Sequence, residues 1–258
     1  MAGAPALERM LERVSKATAV DSYLVATSTE TSDDPIACLC EKLGVECVRG
    51  PLEDVLSRFA MAVPDKCHGV VRLTADCPLV DPELIDHHVD VFRRRWPSAQ
   101  YVTNAVERTQ PDGLDVEVVS REILLEAHRY AESAYDREHV LPWVRRHART
   151  VHITQKTDLS ELRWTMDTVD DLDVIGAIFD ALYWRRPDFR ARQIYYLLTY
   201  HPELIHVAGK SRLTDDERMS WVARIKDHLD SEGSDYGAGS ETLQASEAAY
   251  PGRHPAPE

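Results

Sequence analysis

Residues 69–92, GVVRLTADCPLVDPELIDHHVDVF, decide the fold. The run from Gly69 to Leu73 is small and β-branched, as a strand packed on a pleated surface requires. Asp76 stands just past its end, and Pro78 keeps the strand from continuing. Pro82 then opens a helix, where a first-turn proline is tolerated, and Ile85, Val89 and Phe92 fall on one face of it. In open α/β sheets, ligands bind at the carboxyl ends of strands. A carboxylate there can hold a hard cation such as Mg²⁺, which takes oxygen ligands and bridges to phosphates. Capping the turn before Pro78 is the competing role for Asp76, and this stretch alone leaves both open.

The same alternation runs upstream. Leu7, Met10, Leu11 and Val14 recur at helical spacing, and Tyr23 to Thr27 reads as a short buried strand. Asp33 or Asp34 before Pro35 starts a helix that Gly44 ends; Val45 to Val48 is the next strand and Leu52 to Ala62 the next helix. Strand and helix in turn predict an α/β fold with a largely parallel sheet flanked by helices. Downstream, Leu114 to Val118 alternates apolar and acidic, the pattern of a strand with one wet face. Helices are expected over 120–132 and 136–148, then a strand from Thr150 to Thr154. A helix after Thr168 should turn Leu172, Ile175, Phe179 and Leu182 inward, and another carries Ile194, Leu197 and Leu198. From about Ser231 the chain is rich in Ser, Gly, Glu, Ala and Pro without apolar periodicity, which predicts a disordered tail.

Composition narrows the function. The chain has 258 residues, 43% hydrophobic and 29% charged, with a formal net charge of −14. That charge argues against nucleic acid and anionic membrane as partners, both of which attract basic surfaces. It leaves room for a small anion met by local cations or a metal. No apolar run is long enough to span a bilayer, and MAGAPALERM lacks the apolar core of a signal peptide. Five cysteines without framework spacing suggest reduced thiols and a cytoplasmic location.

Three further stretches carry candidate chemistry. In Arg163-Trp164-Thr165-Met166-Asp167-Thr168-Val169-Asp170-Asp171, Thr168 offers an N-cap and the acids after it favour a helix start. Asp167 precedes the cap and is free to face a cleft; with Asp76 it would supply the one or two carboxylates that Mg²⁺ usually takes from protein. In Pro111-Asp112-Gly113-Leu114-Asp115-Val116-Glu117, a turn accounts for Asp112 and Gly113, while Asp115 and Glu117 share one strand face. They line a polar pocket or face water, and sequence prefers water. In Arg137-Glu138-His139, the histidine could donate to a substrate, although an ordinary half-buried histidine is commoner.

The order LERMLERV, YLVATST, DDPIACLCEKLGVECVRG, EDVLSRF, VVRLTADCPLVDPELID, YVTN, PDGLDVEV, REHV and LRWTMDT resembles the spore-coat polysaccharide biosynthesis cytidylyltransferases over about residues 4–185. It is more distantly similar to the CMP-KDO and CMP-sialic acid synthetases. The resemblance implies a nucleotide-diphospho-sugar transferase-like fold, a mixed, mainly parallel sheet flanked by helices. The chain is read as an N-terminally incomplete cytidylyltransferase-like domain over 1–205, a helical extension over 206–230 without a family counterpart, and the tail over 231–258. The implied reaction transfers CMP from CTP to a sugar or sugar acid for surface polysaccharide synthesis, with Mg²⁺ held by Asp76 and Asp167 and a possible homodimer. Arg49, Asp54, Arg58 and Arg72 are implied at the nucleotide, and Asn104, Asp112, Asp115, Arg137 and His139 at the sugar.

One departure accompanies the resemblance. Family members begin with a strand and an Ala-Arg-x-x-Ser-x-Arg-Leu-Pro-x-Lys loop whose amides and basic side chains cradle phosphates. Met1-Ala2-Gly3-Ala4-Pro5-Ala6-Leu7 matches the segment after that loop, so the sequence reading expects an open sheet edge and, in order of preference, an upstream segment, an inactive relative, or another segment filling the gap, for which no second basic glycine-containing loop is present. The alternative function is therefore a non-catalytic nucleotide- or sugar-binding protein of the same fold.

Overall fold

The computed structural model describes residues 1–231 and 240–244. Helix α1 (Ala6–Val14) buries Met10, Leu11 and Val14, three of the four positions in its apolar repeat. Strands β1 (Val25–Ser28) and β2 (Cys47–Gly50) pair in parallel across helix α2 (Asp34–Leu43). Pro35 lies in the first turn of α2, and Gly44 ends it at φ 67°, a left-handed position that suits a residue without Cβ. Helix α3 (Val55–Ala62) follows, with the Asp54 carboxylate accepting the Ser57 N–H at 2.9 Å.

The next elements are β3 (Gly69–Arg72), α4 (Pro82–Arg95), β4 (Tyr101–Thr103), β5 (Glu117–Ser120), α5 (Arg121–Tyr130), α6 (Ala134–His139), α7 (Pro142–His147) and β6 (Thr150–Thr154). Helices α8 (Val169–Leu182), α9 (Ala191–Tyr200) and α10 (Asp215–Ser231) precede β7 (Ser240–Gln244). Five strands form a mixed sheet in the order β3-β5-β4-β6-β7. Strands β3, β4 and β6 run one way, and β5 and β7 the other. Among the described residues β1 and β3 each pair on one side only, so the two sheets share no ladder.

Alternation along the strands sorts the core into two layers. Val102, Val116 and Val118 join the larger cluster, with α4, α8, α9 and α10. Tyr101 and Val119 join the smaller one, with Leu56 of α3 and residues of α5 and α7. Arg72 pairs across from Glu117. Because 117 and 119 share a strand face, Glu117 points to the side of the smaller cluster.

Several sequence expectations need correction. The span 136–148 is not one helix. Pro142 has no N–H with which to continue a helix from α6 and instead stands in the first turn of α7; Val140 turns at φ 69°, ψ −56°, with the Leu141 N–H donating to the His139 carbonyl at 2.8 Å. That γ-turn is strained for a β-branched residue. Leu172 is 46% exposed rather than inward. Within the expected disordered tail, 240–244 is strand β7; Glu241 accepts from Arg94 and Arg95, each at 2.9 Å. The rest of that tail, 232–239 and 245–258, lies outside the described residues.

Candidate active site

Three segments meet at the carboxyl end of β3. The chain turns after Arg72, with the Cys77 N–H donating to the Thr74 carbonyl at 3.1 Å. The Asp76 carbonyl accepts the Met166 N–H at 2.8 Å, which sets Asp76 beside the residue preceding Asp167. The Pro-Asp-Gly turn docks on the same stretch from its other end. The Asp112 N–H donates to the Leu162 carbonyl at 2.9 Å, and the Trp164 N–H to the Asp112 carbonyl at 2.6 Å. Gly113, at φ +107°, presses against the Trp164 backbone so closely that no Cβ would fit.

Asp76 and Asp167 thus lie at one locus. Asp76 is half-buried, and among the described residues its carboxylate takes a hydrogen bond from the Cys77 thiol at 3.5 Å. Asp167 is 52% exposed and accepts from Arg163 Nη2 and from Thr165 Oγ1 at 3.1 Å. Neither carboxylate is consumed by a buried structural bond. The described residues contain no group of three His, Cys, Asp or Glu arranged around a metal. A pair of oxygen donors fits Mg²⁺, which fills its other positions with water and phosphate.

The rest of the acidic strand is not wet. Glu117 is 1% exposed. It accepts from Arg72 Nη1 at 2.7 Å, from Arg145 Nη2 at 2.9 Å and from the Tyr101 hydroxyl. Burial alone would raise its pKa, but Arg72, Arg145 and the hydroxyl more than offset that and hold it below the ordinary glutamate value. Asp115 is clasped by Arg108, with both carboxylate oxygens at 2.7 Å from guanidinium nitrogens. Burial still pushes Asp115 up to about 6, against the pull of Arg108 and with help from Asp112 and Glu117. Arg108 also donates to Asp112 at 2.6 Å. The water-facing reading of this strand is therefore overturned: both acids are paired with guanidinium groups.

Other candidates fall elsewhere or serve the scaffold. Asn104 is buried; its amide hydrogens go to Gln110 and, at 2.8 Å, to the Leu114 carbonyl, while its oxygen accepts the Val116 N–H at 2.8 Å. It therefore pins the 104–116 loop and has no hydrogen left for a sugar. Arg49 clamps the loop after β1, donating to the Ser28 and Glu30 carbonyls and to Asp34. Arg58 donates to the Pro51 and Leu52 carbonyls, and burial lowers its pKa. Asp54 and Arg137, assigned to different ligands by sequence, are joined at 2.7 Å. His139 is exposed, with its ring edge-on to Tyr135 at 4.4 Å.

The residues that organise the locus were largely missed: Arg108, Arg145, Tyr101, Arg163 and Asp171. Asp171 is the buried anchor. It accepts from Arg163 Nε at 2.8 Å, the Asp167 N–H at 3.0 Å and the Thr168 N–H at 2.9 Å, and lies 3.1 Å from His206 Nε2. The Arg163 hydrogen bond leads the causes that hold its carboxyl far below the usual range. The clue was available for one of these: a second acid, Glu117, two residues beyond Asp115 in an otherwise apolar strand needs a cation when buried.

Known proteins resemble this chain in sequence and fold. The family described as Cytidylyltransferase matches residues 1–173. The spore coat polysaccharide biosynthesis protein SpsF of Bacillus subtilis is 31% identical over 191 residues, 71% of this chain and 77% of the relative. The 8-amino-3,8-dideoxy-manno-octulosonate cytidylyltransferase of Shewanella amazonensis is 30% identical over 97 residues, 36% of this chain and 38% of the relative. A solved cytidylyltransferase from Leptospira borgpetersenii serovar Hardjo-bovis superposes with a TM-score of 0.75 at 25% identity, covering 82% of this chain and 89% of that one. With the match spanning α1 to the first turn of α8 and thus every segment of the carboxylate locus, the chain belongs to the cytidylyltransferase family.

Proposed function

We propose that the chain transfers CMP from CTP to a hydroxyl of a sugar or sugar acid, releasing pyrophosphate, in surface polysaccharide synthesis. The observation that carries this reading is the Met166–Asp76 backbone bond, which brings the segment bearing Asp167 alongside Asp76 beyond the end of β3. In the reaction the acceptor oxygen bonds to the α-phosphorus, the bond to the bridging oxygen breaks, and the hydroxyl proton leaves to a base or water. Little covalent work falls to the protein; positioning and charge neutralisation supply the rate. Asp76 and Asp167 would hold Mg²⁺, which supplies Lewis-acid neutralisation of the phosphate oxygens when bound. Arg72 adds a fixed cation at the same strand end, and Asp112 and Asp115 face the acceptor. The family match and the relatives named for CMP transfer favour transfer over a purely binding role.

The assay is pyrophosphate release from CTP and Mg²⁺ with a panel of sugars and sugar acids. It is run on the chain alone and on a version carrying the family's phosphate loop upstream of Met1. Asp76→Asn should lower kcat/KM by about 100-fold or more, the scale of a lost electrostatic stabiliser, with little change in Tm. Absence of pyrophosphate release from both forms with every acceptor would refute the proposal. A cytoplasmic site of action and a homodimer belong to the same reading; fractionation and sedimentation velocity check them. No helix among the described residues is long and apolar enough to cross a membrane.

A further inference from the structure

Glu117 is a buried carboxylate that holds two guanidinium groups. Its side chain is 2% exposed, while those of Arg72 and Arg145 are 23% and 39% exposed. Each arginine gives Glu117 one terminal nitrogen, and the hydroxyl of Tyr101 occupies another lone pair of the carboxylate. A guanidinium carries five N–H donors in a rigid fork. Arg145 also meets the Tyr101 hydroxyl, and the donors that Glu117 and Tyr101 do not take belong to side chains that reach solvent. Taken with the neighbouring Arg108, Asp112 and Asp115, the three side chains form a balanced cluster in a chain whose formal net charge is −14. A buried ion pair is weak evidence for stability, since apolar residues of the same volume often do as well. Its other service is to fix where two cations point.

Position adds to this. Arg72 ends β3, four residues before Asp76, and Glu117 opens β5, two residues after Asp115. Arg145 reaches the same spot from α7, an element the sequence reading left without a functional residue. Tyr101, 0% exposed, backs Glu117 from β4. Both guanidinium groups thus converge on the strand ends that carry the acidic locus.

We propose that Arg72 and Arg145, oriented by Glu117, form an oxyanion clamp at this end of the sheet, with Arg145 a binding residue and Glu117 a positioning residue. The inference rests on the proposed CMP transfer for its setting and names the chemistry the clamp takes. That chemistry is a pair of coplanar anionic oxygens, which paired guanidinium forks match. Two reactants could supply it: the carboxylate of an acceptor sugar acid, or the phosphate chain of CTP.

Titration calorimetry separates these sources. Wild type, Arg145→Gln and Arg145→Lys are titrated with CTP, with inorganic pyrophosphate, and with a 3-deoxy-octulosonate and its methyl ester. Arg145→Gln should weaken binding by about tenfold or more, the scale of a lost charged hydrogen bond. A loss confined to the free acid and absent for its ester places the acceptor carboxylate in the clamp. A loss for CTP and pyrophosphate places the phosphates there. Arg145→Lys keeps the charge without the fork and should also weaken binding, which keeps the test decisive if the glutamine variant misfolds. Unchanged affinities in the folded variants overturn the clamp.

Glu117→Gln tests positioning. Removing a negative charge beside two cations should tighten anion binding if Glu117 acts only through its field. If it aims the forks, binding weakens by threefold or more despite the added positive charge. Tighter binding refutes the positioning role. Failure of wild type to bind or turn over CTP would sink the proposed function instead, while pyrophosphate and the sugar acid still report on the clamp.

Discussion

Gly113→Ala is the substitution whose cost the structure fixes most closely. Gly113 adopts φ +107°, a region that L side chains rarely enter. Holding an alanine there costs about 1–3 kcal/mol. The added Cβ would also stand 2.5 Å from both the carbonyl carbon and the oxygen of Trp164, and 3.0 Å from the Thr165 nitrogen. These are backbone atoms, so no rotamer change relieves the contact. Nor is that backbone free to retreat. The Trp164 side chain is 1% exposed in the larger core, the Trp164 N–H donates to Asp112, and the Arg163 N–H donates to the His206 carbonyl at 3.0 Å. Strain and overpacking together amount to about 3–5 kcal/mol. At about 2–4 °C per kcal/mol for a domain of this size, Tm should fall by about 10 °C. The control is Gly209→Ala, where φ is +74° and nothing lies within 4 Å of the added Cβ, so only the backbone term remains. Calorimetry and urea titration of both variants separate conformational strain from collision. Displacing the 112–115 turn against Asp76 should also lower kcat/KM by about 100-fold, as an ångström of misplacement can. A Gly113→Ala protein that melts within about 2 °C of wild type, where this mechanism sets a shift near 10 °C, would refute the reasoning.

Two further outcomes follow from buried titratable groups. His88 is fully buried, its Nδ1 bonded to the Leu84 carbonyl at 2.8 Å and its Nε2 without a partner among the described residues, and burial pushes its pKa down to about 3. The unfolded histidine protonates near 6.5 and the folded one does not, so this contribution is intact above about pH 6.5 and declines by roughly 3 kcal/mol by pH 4. His88→Met should flatten the slope of stability against pH between 6 and 4, measured by denaturant titration at each pH; an unchanged slope would count against it. Asp171→Asn should cost about 3 kcal/mol, because it leaves the Arg163 guanidinium and two backbone N–H groups without their shared carboxylate. It should also lower kcat more than the melting temperature alone explains, since it frees the segment bearing Asp167. A variant with normal kcat at a temperature where it is fully folded would contradict that coupling.

The elements that sequence located well are those whose signal is local. Pro35 and Gly44 bracket α2, Asp81 and Pro82 open α4, and Thr168 caps α8 with Asp171 completing a capping box. Each depends on a residue within a turn of the boundary. The elements it missed depend on distant partners. Strand β7 reads as a polar tail because Ser-Glu-Thr-Leu-Gln has no apolar face; it is held by the β6 ladder and by arginines of α4 almost 150 positions away. The break between α6 and α7 lay in plain view at Pro142, but its strained turn at Val140 is stabilised by a fully buried side chain that sequence cannot place. At the site, carboxylates were visible and their cations were not. Arg108, Arg145 and Arg163 look like surface charge in sequence, and only the fold brings them onto Asp115, Glu117 and Asp171.

That last pairing also shows how the 167–171 stretch is held. Thr168 and Asp171 perform the capping: the Thr168 hydroxyl accepts the Asp171 N–H at 3.2 Å, and the Asp171 carboxylate accepts the Thr168 N–H at 2.9 Å. Asp171 also accepts the Asp167 N–H, so it fixes the backbone of Asp167 without occupying its side chain. The acid that works for the helix is 1% exposed, whereas Asp167 is 52% exposed. Arg163 touches both carboxylates, which ties the exposed one to the buried one through a single guanidinium. A cation arriving at Asp167 must therefore compete with Arg163 Nη2, while Nε stays on Asp171. The exchange costs one exposed ion pair, worth about 0–1 kcal/mol, rather than a buried one. Asp167 is thus held in place by its backbone while its carboxylate stays cheap to recruit, an arrangement that a helix cap alone would not require.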